Sequence, residues 1–137
     1  MNDEMINFFG KPLHTYTRAE ALEDGVLVDV SETAIEAGFK IPVAVTRAVW
    51  DQYISWTDED TDNQTIQDEA GRLWDILSML MFAIKMDRSG TDQLIYQLAV
   101  IPRDGKGRSP KRIKLKSCIG GGDKGERVIT IMLTTED

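Results

Sequence analysis

Histidine and cysteine, two of the side chains that most often carry catalytic chemistry, are almost missing from this chain. Its 137 residues include one histidine, His14, and one cysteine, Cys118. A lone cysteine excludes an internal disulfide and fits a reducing compartment. Long apolar runs are absent too. The longest candidate, Ile76 to Ile84, falls far short of the ~20 residues of a bilayer span, so no membrane association is expected. The opening MNDEMINFFG carries acids where a secretory leader carries cations, so no export signal is expected and the cytoplasm is the expected location. Cations are outnumbered, with 16 Lys and Arg against 23 Asp and Glu, for a net charge of −7. That balance opposes non-specific nucleic-acid binding by the whole surface and favours solubility. It also suits a basic partner.

What is present reads as one domain over residues 1–137, with 1–15 a loosely ordered lead-in whose Phe8 and Phe9 can dock on the body. Apolar residues at 42% and charged residues at 28% are ordinary globular values. A chain of this length buries about two-thirds of its unfolded surface and needs no staples. Thr17-Arg18-Ala19-Glu20 is a capping box for a short helix that Gly25 can stop. Val26 to Val30 reads as a buried strand. Ser31 can cap a second short helix ended by Gly38. Phe39 to Val45 is a second strand-like run, and Pro42 marks it as an edge or as only partly laddered. Thr46 caps a third helix, Arg47 to Trp56. A long central helix is expected from about Ile66 to Met86, started by Thr65. Its stripe of Leu73, Trp74, Leu77, Leu80, Met81 and Ile84 faces the core; Met79, Met81 and Met86 are read as core filling rather than as an adaptable binding surface. After Arg88-Ser89-Gly90 the apolar period changes from helical to two. Gln93–Ile101, Lys111–Ile119 and Arg127–Leu133 then form a three-stranded antiparallel meander. Helices first and strands later predict an α+β fold with short N-terminal helices and strands and a sheet of three or four antiparallel strands.

Two charge features are candidates for function. The acidic one comprises Asp51, Asp58, Glu59, Asp60, Asp62, Asp68 and Glu69. Within it, residues 58–69 place carboxylates at positions 1, 3, 5 and 12 of a twelve-residue loop, the ligand spacing of a calcium-binding helix-loop-helix. Asn63 stands where that loop needs glycine, and Ile66 where it usually has a polar ligand, so a solvated acidic linker is the preferred reading. The basic feature comprises Arg103, Lys106, Arg108, Lys111, Arg112, Lys114 and Lys116. Alternation puts Arg112, Lys114 and Lys116 on one sheet face, a pattern that can track phosphates. A solvated outer face or edge strand is the preferred reading, and a third is a patch that binds the chain's own acids or an acidic partner. Gly120-Gly121-Gly122 lacks the Lys-Ser/Thr of a phosphate loop and reads as a hairpin turn. Cys118 shares a face with the basic side chains, and with His14 it forms the one Cys/His dyad the composition allows. No catalytic residue, metal or cofactor is assigned, and a non-enzymatic role is preferred.

YTRAEALEDGVLVDVSETAIEAGFKIPVAVTRAVWD, then WTDEDT, GRLWDIL, IPRDG and VITIMLTTED, resemble a family of small uncharacterised bacterial proteins. The likeness runs from about Tyr16 onward. It implies a plasmid, phage or integrated-element context, and an accessory protein that binds a host protein to blunt restriction or CRISPR defence. The expected partner is then a basic or nucleic-acid-binding host protein met by the acidic surface. The competing expectation is a nucleic-acid-binding module using the basic hairpin 103–116.

Overall fold

The computed structural model describes residues 16–137. The lead-in, with His14, lies outside the described residues. The chain runs α1 (Arg18–Glu23), β1 (Leu27–Asp29), α2 (Ser31–Glu36), β2 (Val43–Thr46), α3 (Arg47–Val49) continued by a π-helical turn (Trp50–Ile54), α4 (Asp58–Asn63), α5 (Glu69–Met86), β3 (Gln93–Val100), β4 (Lys111–Gly121) and β5 (Arg127–Leu133). The strands make one sheet in the order β1-β2-β5-β4-β3. The architecture is α+β, as the change of period predicts.

The meander is antiparallel: β3 pairs with β4 and β4 with β5. The all-antiparallel sheet is corrected, because β5 also pairs with β2 in parallel, Val43 beside Ile129 and Val45 beside Ile131. Burial explains this. Val128, Ile129, Ile131 and Met132 are all buried, as are Val43, Ala44 and Val45. Strands apolar on both faces belong inside a sheet. Of the two readings of this run, the edge is wrong and the partial ladder holds, since only Val43–Thr46 pairs; β1, read as buried, is the half-exposed edge. Pro42 sits just before the first ladder residue, where its missing N–H disrupts nothing. Its carbonyl accepts from the Ile129 N–H at 2.9 Å.

The helix signals are met at some ends and displaced at others. Thr17 and Glu20 close the capping box on α1, and Gly25 and Gly38 take φ of +79° and +103°, conformations other residues rarely adopt. Ser31 does not cap α2. Its hydroxyl donates to Asp29 Oδ1 at 2.6 Å and accepts from the Val43 N–H at 3.0 Å, tying the helix start to β2. Thr46 does cap α3, but the helix then widens, with the Ser55 N–H bonding the Trp50 carbonyl at 2.8 Å. The long helix starts three residues later than predicted, because Asp68 rather than Thr65 is the cap; its Oδ1 accepts from the Gly71 N–H at 2.7 Å.

Ile76, Leu77 and Leu80 of α5 pack with Val49, Ile54, Val45, Leu98, Leu115 and Ile131 in one core. Tyr96 joins it and donates its hydroxyl to the Ile76 carbonyl at 3.2 Å; burial pushes its phenol pKa up. Helix α1 lies on the opposite sheet face. There Arg18 donates to Thr130 Oγ1 at 2.7 Å, and Thr130 points away from Ile129 and Ile131. No helix among the described residues is long and apolar enough to cross a membrane.

Candidate partner-binding surface

The acidic stretch is not the loop that its composition suggests. Asp58–Asn63 is a helix, opened by a capping box in which Thr57 Oγ1 accepts from the Asp60 N–H at 3.1 Å and Asp60 Oδ2 accepts from the Thr57 N–H at 2.8 Å. Asp58, Glu59 and Asp60 fill its first turn, where the helix dipole favours anions. The calcium loop at 58–69 is therefore corrected: its first half is coiled into α4 and cannot wrap a cation. Among the described residues, no group of three or more His, Cys, Asp or Glu is placed to hold a metal ion.

None of the residues of α4 is buried, so packing alone does not hold it. Three polar contacts do. Gln64, just past its end, is only 4% exposed. Its amide nitrogen faces the carbonyls of Pro102 at 2.8 Å and Gly107 at 2.6 Å and Asp104 Oδ1 at 3.1 Å, while its carbonyl accepts from the Gly105 N–H at 3.1 Å. Two amide hydrogens serve three acceptors, so one is shared. Arg103 Nε meets Asp60 Oδ2 at 2.7 Å, and Trp56 Nε1 donates to Thr61 Oγ1 at 3.1 Å. Partial burial pushes the Asp60 carboxyl upward. The Thr57 N–H and hydroxyl and Arg103 outweigh it and hold the group below the usual carboxylate range.

Under α4 lies Arg72, which is 6% exposed. Its guanidinium stacks 4.5 Å from the Trp56 ring centroid. It donates to the carbonyls of Ile54 at 3.1 Å, Ile101 at 2.8 Å and Gln52 at 3.4 Å, and to Gln67 Oε1 at 2.6 Å. Burial lowers its pKa to about 10, which leaves it charged at neutral pH.

The two charge features, far apart in sequence, therefore meet. Arg103 bridges the Asp60 carboxylate and, at 3.2 Å, the Asp51 backbone carbonyl. To that extent the basic segment binds the chain's own acids. Asp51 also pairs with Arg47 at 3.7 Å. Asp68 caps α5 through its Oδ1, and Glu69 accepts from the Trp56 N–H at 3.4 Å. Asp58, Glu59 and Asp62 are exposed and form no ion pair among the described residues. On the basic side, Lys106, Arg108 and Lys111 are exposed around the β3–β4 connection, and Arg112 and Lys114 on the outer face of β4. Lys116 is partly buried and its Nζ donates to the Glu136 carbonyl. Cys118 lies half-buried further along that face. The hairpin turn predicted at the glycine triplet is displaced: Gly120 and Gly121 are the last residues of β4, paired with Val128 and Arg127, and the turn follows from Gly122 to Gly125. The residue after the triplet, Asp123, accepts from the Arg18 and Ala19 N–H groups at 2.8 and 2.9 Å and gives α1 a second cap.

Gln64, Arg72 and Asp123 are not legible as functional in the sequence, because their partners are distant along the chain. Asp104 and Asp123 set an acid response. N–H groups of Gly107 and Lys106 hold the Asp104 carboxyl below its usual range, and those of Ala19 and Arg18 do the same for Asp123. A depressed folded pKa gives stability that is present above the unfolded value, ~3.9 for Asp, and is lost as pH falls through the folded value. Denaturation midpoints should therefore fall below about pH 4, and more steeply in the parent than in a combined Asp104→Asn, Asp123→Asn variant. Equal slopes would contradict this account.

Comparison with curated proteins and with solved structures finds no match. A family model does match residues 5–137, nearly the whole chain, and the protein belongs to that family, a family of unknown function (DUF6573).

Proposed function

We propose that this is a non-enzymatic, cytoplasmic accessory protein that binds a basic host protein through the acidic surface of α4 and the start of α5. The observation that carries the reading is the presentation of Asp58, Glu59 and Asp62. These acids stand exposed and without ion pairs among the described residues, on a helix braced from behind by Gln64 and by the Asp60–Arg103 pair. A braced row of unneutralised charge steers and orients a cationic partner with little ordering cost on binding. In a mobile-element context, the fitting partner is a basic, nucleic-acid-binding component of a defence system such as restriction or CRISPR.

The test spares Asp60, which the cap needs. Asp58→Asn, Glu59→Gln and Asp62→Asn together should cut capture of basic host proteins several-fold, with folding unchanged. Capture by the parent should also weaken with salt. Undiminished capture would sink the proposal. A second reading rests on Arg112 and Lys114, exposed side by side on the outer face of β4. Under it, DNA or RNA rather than protein is retained, and Arg112→Ser with Lys114→Ser, not the acidic triple variant, abolishes retention.

A further inference from the structure

A groove of about 530 Å³ opens beside the first turns of α5, lined by Ile66, Asp68, Gly71, Trp74 and Asp75 among others. Two large apolar side chains stand exposed in its otherwise polar wall. Ile66 is 83% exposed and Trp74 42%, whereas Trp56 is buried at 7%. The stripe that predicts Trp74 in the core is thus corrected: Trp74 turns outward from the helix. Further along α5, Met79, Phe82 and Met86 are also exposed. Met79 and Met86 are therefore surface residues rather than core filling.

The groove's charge is negative. Asp68 and Asp75 line it, and Glu69 is the first residue of α5. The one cation in the wall, Arg72, turns its guanidinium inward onto Trp56 and the Ile54 and Ile101 carbonyls. The helix N-terminus adds roughly half a positive charge, which two carboxylates outweigh. An exposed tryptophan face beside carboxylates suits a guanidinium, which stacks on the ring while pairing with the acids. Phosphates are repelled by the same charges.

We infer that this groove seats an arginine side chain from an apolar-basic segment of a protein partner, with Trp74 as its platform, Asp75 and Asp68 as counter-charges and Ile66 packing on the flanking apolar residue. This rests on the reading that the acids here receive a basic protein, and it adds a seat outside α4.

The experiment titrates the full chain with a short peptide alternating leucine and arginine, and with its glutamate counterpart. The Trp74 indole and Ile66 methyl NMR signals are followed. The arginine peptide should shift both signals. Its affinity should fall about ten-fold in Trp74→Ala, recover in part in Trp74→Phe and fall several-fold in Asp75→Asn; the glutamate peptide should leave the signals in place. If these results hold and the α4 triple variant binds the peptide normally, the groove stands and the α4 reading fails. If affinity follows the α4 triple variant and ignores Trp74→Ala, the groove is overturned and the acidic-surface reading survives. Absent binding, or equal binding of the glutamate peptide, overturns the groove. So does a shift of both signals with protein concentration alone, accompanied by dimers in sedimentation, which would make the occupant a second copy.

Discussion

Arg72→Met is expected to lower the unfolding free energy by about 3 kcal/mol. The substitution keeps most of the apolar stem and removes the guanidinium. It leaves the Ile54 and Ile101 carbonyls, which accept from Arg72 at 3.1 and 2.8 Å, without those donors beneath α4. Each buried group left unpaired costs about 1–3 kcal/mol, and the desolvated stack on Trp56 is worth about 2. Removing a buried charge works in the other direction, since burial disfavours it. That relief is the reason buried ion pairs can be replaced by apolar groups without loss. Here it cannot balance the cost, because the acceptors are backbone carbonyls and stay behind. Arg72→Lys should recover only a minority of the loss, since one ammonium cannot span acceptors on the π-helical turn and at the end of β3. Urea denaturation with an unchanged m-value is the measurement. A loss below about 1 kcal/mol would mean that water reaches the carbonyls, and the bracing role would be withdrawn.

Ile131→Ala should cost about as much, roughly 3–4 kcal/mol, or a melting temperature lower by about 10 °C. Ile131 is fully buried on β5, paired with Val45 on one side and Ser117 on the other. Truncation removes three carbons at the point where β2 and the meander join, and backbone held on both sides has little freedom to collapse into the void. Phe82→Ala removes a larger side chain from an exposed site, 60% accessible, and should change stability by no more than about 0.5 kcal/mol. If the two variants were equally stable, the parallel β2–β5 junction would not be part of the core.

The legible parts of the fold were those with local causes. The capping box at Thr17 and Glu20, the glycine stops and the alternation of β4 each act within a few residues, so a single stretch of sequence shows them. The parallel pairing of β2 with β5 joins residues more than eighty positions apart. Only the two-sided apolar character of β5 hinted at a central place. Helix α4 is missed because a run of acids reads as a solvated linker, although Thr57 and Asp60 already supply a cap. Trp74 was misplaced because a wide apolar stripe does not mark its own margins. The acidic residues were visible as a run, but Gln64 and Arg103, which set how they are held, each look like an ordinary polar side chain.

Strand β5 follows every other strand in the chain yet lies third in the sheet order. As the chain emerges during synthesis, β1–β2 and β3–β4 can each form a ribbon, but nothing in the sheet connects them until Arg127–Leu133 is available. Both ribbons meanwhile offer the open strand edges that β5 will fill, and such edges invite pairing with other chains. Closure depends on contacts distant in sequence, which slows folding and makes it all-or-none. The net charge of −7 opposes such pairing, because like charges keep half-made sheets of neighbouring chains apart.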